Sequence, residues 1–157
     1  YYAETVDKPL VKIASQDVSE GYSKIHYPQN GLLGCYAVTA VDSQGNESIY
    51  SNTKCVDNCP FYELPNTFTP NGDGRNDAFI PRINLFIFEI DLKIFNQWGN
   101  LVFETNDPDI KWTGNTNSGS ELADGTYYYT CRVFENRVTG VQEAKNLLTG
   151  FIHLIRN

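Results

Sequence analysis

Between positions 85 and 95 the chain alternates with a period of two. Phe86, Phe88, Ile90, Leu92 and Ile94 fall on one side, Glu89, Asp91 and Lys93 on the other. A helix, with ~3.6 residues per turn, would scatter those charges around its circumference, whereas a strand sorts them onto two faces. The stretch is expected to be a half-buried strand, and such a strand needs neighbours to cover its apolar face. The turn Gln97-Trp98-Gly99-Asn100 and the segment 101–105 supply a hairpin partner. Residues 126–135 alternate again, with Tyr127, Tyr129, Cys131 and Val133 on one face. Residues 147–155 close the series, with Leu148, Ile152 and Leu154 inward and His153 outward. Gly, Asn, Asp and Ser fill the connections, which is the pattern of an antiparallel all-β sandwich.

A chain of 157 residues has room for one ordinary domain or two small ones. Hydrophobic residues make up 41%, enough for a core and too many for a disordered segment. No apolar run approaches the ~20 residues of a membrane-spanning helix. Methionine is absent, so the chain is expected to be a mature piece or a fragment of a longer protein. A net charge of -7 disfavours nucleic acid, because few cations are available to replace the counterions of a phosphate backbone. The two histidines, His26 and His153, fall in different parts of the chain, and no nucleophile elbow, zinc-protease helix or phosphate-binding glycine loop is present. No enzyme is expected.

Residues 1–57 read as a first unit of short strands, including 10–14 and 23–27, without a helix. Residues 35–41 alternate, with Tyr36, Val38 and Ala40 on one face, and the turn 42–46 sends the chain back through 47–54. With Gly45 at the centre, Cys35 and Cys55 are cross-strand neighbours placed for a disulfide. Residues 58–63 read as a linker and 64–157 as a second unit. A Cys59–Cys131 bridge would staple the linker to that unit, although four cysteines allow three connectivities.

The densest local signal is the loop 65–77, Pro-Asn-Thr-Phe-Thr-Pro-Asn-Gly-Asp-Gly-Arg-Asn-Asp. Asn71, Asp73 and Asp77, with the main-chain carbonyl of Arg75, could converge on a hard cation such as calcium. Equally, Asn and Asp in such a loop bond to their own backbone while glycine supplies positive φ. Charge is uneven as well. Residues 63–124 hold ten acidic and four basic side chains, while 130–157 hold four basic and two acidic. The latter is either a basic patch for an acidic partner or ordinary surface scatter.

Residues 35–48, Cys-Tyr-Ala-Val-Thr-Ala-Val-Asp-Ser-Gln-Gly-Asn-Glu-Ser, resemble the last hairpin of a fibronectin type III domain, although the unit is too short for all seven strands. The 65–77 loop resembles the opening signature of the gliding-motility-associated C-terminal domain, the type B sorting domain of the type IX secretion system in Bacteroidetes. Residues 92–103, Trp112-Thr113-Gly114, 122–129 and 148–156 match that family's later motifs in order. Together the resemblances imply a truncated fibronectin type III-like sandwich followed by an Ig-like antiparallel β-sandwich. They also imply a sorting signal that takes a large surface protein, such as a gliding adhesin, through the periplasm to the cell surface or medium. The implied partners are the type IX translocon and an outer-membrane barrel protein specific to type B signals.

The final strand is the expected contact with that machinery. Gly150, Ile152 and Leu154 would lie along a free edge and Arg156 would serve as a charged anchor; alternatively the strand is simply paired within its sheet. A second functional reading is an adhesive or carbohydrate-binding sandwich with Trp98 and Trp112 as its platform.

Overall fold

A computed structural model describes residues 1–29 and 31–156. Asn157, the last residue of the expected second domain, lies outside them. Among the described residues the fold is all-β, with a 3-10 turn at Val18–Glu20. It divides into two compact units, Tyr1–Cys59 with Asn136–Val141, and Pro60–Glu135 with Gln142–Asn157.

The first unit holds one small sheet, β1 (Tyr2–Ala3), β2 (Gly34–Tyr36) and β3 (Lys54–Val56), in that order. Its register pairs Cys35 with Cys55 about the turn at Gly45, and the two are joined in a disulfide. The turn is set by Asp42, whose Oδ1 accepts from the N–H groups of Gln44 and Asn46. Ala3, Leu33, Cys35 and Val138 form the core. The segments 10–14 and 23–27, expected as strands, are irregular apart from a bridge between Val11 and Tyr2. Short alternating segments keep strand geometry only where neighbours pair with them and cover one face, and here Ile25 and Tyr27 stay exposed. Tyr36, Val38 and Ala40 do share a face, but it is the outer one; Cys35 and Ala37 point inward.

The second unit is built on a six-stranded sheet and a two-stranded ribbon. The strands from Phe61 onward, of which β9 and β10 run partly into the 136–141 stretch of the first unit, are β4 (Phe61–Glu63), β5 (Thr67–Phe68), β6 (Ile83–Leu85), β7 (Ile87–Phe95), β8 (Leu101–Thr105), β9 (Gly125–Arg137), β10 (Gly140–Glu143) and β11 (Leu148–Leu154). The sheet order is β5-β11-β9-β7-β8 with β10 alongside β9, and β4 and β6 form a separate ribbon. All sheet pairs with an assigned register are antiparallel except β5 with β11, which run parallel. Ile90, Leu92 and Ile94 of β7, Tyr127, Cys131 and Val133 of β9, and Ile152 and Leu154 of β11 bury the inner face. Phe79 and Trp112, linked by an isolated bridge, cover it together with Ile110 and Phe68. The period-two reading fails at one point. A register shift between Ile87 and Glu89 leaves Phe88 58% exposed, and Phe86 lies outside the strands with φ 56°. A bulge inserts a residue and reverses the facing of everything before it.

Candidate functional site

In the 65–77 loop each Asn or Asp side chain proposed for calcium already accepts from a backbone amide of the loop itself, and the second Asp73 oxygen accepts from the Asn71 side-chain amide at 3.4 Å. Asn71 Oδ1 accepts from Asp73 N at 3.2 Å and Asp73 Oδ1 from Arg75 N at 2.7 Å. Asp77 accepts from Gly72 N at 2.7 Å with one oxygen and from Gly74 N at 2.8 Å with the other. Gly72 and Gly74, with φ of 80° and 82°, turn these N–H groups toward the carboxylate. The arrangement is a set of Asx turns closed by an anion-binding backbone concavity. Arg75 contributes its N–H to that set. Among the described residues no three His, Cys, Asp or Glu side chains converge as a metal site.

The opposite end of the chain closes onto two loops. Arg156 donates through Nη1 to the carbonyl of Leu122 at 2.6 Å and to Asp124 Oδ1 at 3.2 Å, and through Nη2 to the carbonyl of Gly114 at 3.1 Å. Its N–H donates to Asp124 Oδ2 at 2.8 Å, and its Nε lies 3.1 Å from Glu121 Oε1. The guanidinium fork suits this task because it carries several donors in one plane. Gly114 is required here. A Cβ at that position would stand 2.5 Å from Leu154 Cδ1 and 2.8 Å from Arg156 Nη2, and φ is 82°. The free charged anchor expected at Arg156 is therefore corrected to an internal clasp, because its donors already hold the domain's own carbonyls and carboxylates.

The expectation of a free edge along β11 is corrected in part. Its last residues lie between β9 and β5, with His153 opposite Thr67 and Leu154 opposite Phe68. Ile152 and Leu154 are wholly buried. Gly150 faces Tyr129, whose ring leaves no room for a side chain: a Cβ would lie 2.8 Å from Tyr129 Oη. Of the four residues singled out on this strand, none offers an exposed side chain.

The remaining candidates separate cleanly. Trp112 is buried among Phe68, Phe79, Phe103 and Tyr127, with Nε1 donating to the carbonyl of Asn115 at 2.7 Å. Only Trp98 of the proposed two-ring sugar platform is exposed. The Cys59–Cys131 bridge is not formed: Cys59 is an exposed free thiol and Cys131 a buried one. Burial, reinforced by the Asp91 carboxylate, pushes the Cys131 thiol up to about 12. The basic patch is largely neutralised. Arg132 makes a bidentate pair with Glu143, Arg137 lies 3.5 Å from Asp57, and Arg156 is held as above.

One contact had no sequence signal. The side-chain amide of Asn117 accepts from Glu104 N at 2.8 Å and donates to the Glu104 carbonyl at 2.9 Å. It thus takes both backbone groups of Glu104 on the edge strand β8, as a neighbouring strand would.

The CHU_C type IX secretion signal domain matches residues 62–154. The chain belongs to this family. The type IX secretion signal domain takes in the 65–77 loop, the Trp112–Gly114 and Leu122–Asp124 contacts of the clasp, and all of β11, while Arg156 sits just past its end. No curated protein matches the chain. Membership makes the second unit a sorting signal, implies interaction with the type IX secretion system, and implies export to the cell surface or the extracellular space. Among the described residues no helix is long and apolar enough to cross a membrane.

Proposed function

We propose that this chain carries a larger surface protein, a gliding adhesin of a Bacteroidetes bacterium, through the type IX translocon, docking on a type B-specific outer-membrane barrel protein. It does so as a folded address label, without bond-making chemistry of its own. The observation that carries the reading is the family match, which covers nearly the whole second unit and its buried core. A rigid sandwich suits recognition by surface and strand edge, because it presents the same shape to every receptor it meets. The first unit is read as a fibronectin type III-like spacer, supported by the Cys35–Cys55 register about Gly45.

The test is a reporter fused ahead of the full chain, expressed in a type IX-competent Bacteroidetes host and in the same host lacking the translocon. The reporter is expected at the surface or in the medium only in the first. Equal export in both hosts refutes the proposal.

A further inference from the structure

The two edges of the main sheet are treated differently. On β8 the outward N–H and C=O of Glu104 are both taken by Asn117. On β11 the outward lane is only half filled. His153 N donates to Asn66 O at 2.8 Å and Ile155 N to Phe68 O at 3.3 Å, so the odd-numbered amides face β5. Arg156 N points the other way, to Asp124. Alternation along the strand then directs the backbone groups of Thr149 and Phe151 into the same lane as those of His153. There, among the described residues, β5 pairs only with His153 and Leu154, and neither Thr149 nor Phe151 makes a backbone bond outside its sheet ladder. The chain ahead of Asn66 has left the lane for β4, where Glu63 pairs with Ile83. Beside the gap, Phe95, Tyr128 and Phe151 stand in register across β7, β9 and β11 on the outer face, and Tyr128 and Phe151 are 51% and 44% exposed.

We infer that the lane beside Thr149–Phe151 is where the export machinery engages this domain, by laying an extended peptide segment against β11 as an added strand. The inference rests on the sorting-signal reading above. The occupant is defined by its chemistry: a strand with free backbone donors and acceptors for Thr149 and Phe151, carrying an apolar side chain beside Phe151 to cover the aromatic row. A strand edge left unpaired on a stable domain is an aggregation hazard, and the Asn117 plug on the other edge shows how this fold closes one.

The test uses the full chain behind a reporter, with Thr149→Pro. Proline removes the outward N–H and leaves the ladder to β9, whose bonds come from even-numbered residues. Export is expected to fall about tenfold while the unfolding midpoint stays near that of the parent, the loss of roughly one net hydrogen bond to a strand partner. A folded Thr149→Pro chain exported like the parent overturns the inference but leaves the sorting role intact, whereas parent export that needs no translocon overturns both. Should the proline variant not fold, the unmodified chain decides by hydrogen exchange. The Thr149 and Phe151 amides should exchange quickly alone and slowly with detergent-solubilised type IX translocon. Unchanged exchange of both amides in the complex overturns it.

Discussion

The two units hold themselves together by different means. Among the described residues the first has a core of four, Ala3, Leu33, Cys35 and Val138, and leaves Tyr22, Tyr27 and Ile49 almost fully exposed. Its order comes from a disulfide and from polar bonds. The buried Asn58 accepts from the N–H groups of Leu32 and Leu33, both at 3.2 Å, and Asp57 accepts from Val138 N at 2.8 Å. The second unit has a core of twelve, with Trp112, Phe68 and Phe79 at its centre. Apolar burial scales with area, so a unit with a thin core must find stability in covalent and polar links. The sorting signal is the unit that stands on burial.

The contrast breaks if the wrong substitution does the damage. Trp112→Ala should be the most costly change, about 3–5 kcal/mol, because it opens a large cavity and orphans the carbonyl of Asn115. Thermal or denaturant unfolding of the second unit reads this directly. A loss under about 1 kcal/mol would mean that the aromatic cluster is not what sustains the unit. Reduction of Cys35–Cys55, or Cys35→Ser with Cys55→Ser, should come next, at about 3 kcal/mol for a loop of this size. The expected signature is proteolysis within residues 10–30 while the fluorescence of buried Trp112 stays native. Early loss of that fluorescence would show that the second unit also depends on the covalent link.

Much of the second unit was legible because one face of each strand is buried. The alternation in 85–95, 126–135 and 147–155 gave strands within two residues of those observed at most ends, since burying one face writes a period of two into the sequence. The Cys35–Cys55 pair was legible for a related reason, as a turn centred on Gly45 fixes which residues face each other. What failed was long-range or stereochemical. The bulge at Ile87/Glu89 depends on φ/ψ values that no alternation encodes. Segments 10–14 and 23–27 carried a strand pattern with little to pair against beyond the single bridge from Val11 to Tyr2. Arg156 read as a free charge because its partners, Gly114, Leu122 and Asp124, lie more than thirty positions upstream. The plug at Asn117 was invisible because nothing in the sequence marks a loop asparagine as the partner of a strand backbone 13 positions before it.

The clasp gives a smaller test within the burial-dominated unit. Arg156→Met keeps the aliphatic stem and removes the donors, leaving the carbonyls of Leu122 and Gly114 without their partner. A loss of about 1–3 kcal/mol is expected, with Lys recovering only part because it lacks the planar fork. Gly114→Ala should cost at least as much, since it adds a forced φ of 82° to a clash with Leu154. If both variants unfold at the parent midpoint, Arg156 is free to serve an external partner after all.

The smallest expected effect concerns the 65–77 loop. Its side-chain oxygens already meet four backbone amides through Asn71, Asp73 and Asp77, all near the surface. Asp77→Ala, which removes two charge-assisted bonds at once, should cost about 1–2 kcal/mol. Millimolar calcium should move the unfolding midpoint of the parent chain by less than about 1 °C, because a ligand stabilises only in proportion to its occupancy of the folded state. The two measurements interlock. A cation that used these oxygens would have to displace amides that hold the loop closed, so calcium binding would raise the midpoint of the parent and leave Asp77→Ala unmoved. A calcium-dependent rise seen in the parent alone would turn the loop from a self-closed turn into a metal site, and would add a cation to the means by which the second unit is held.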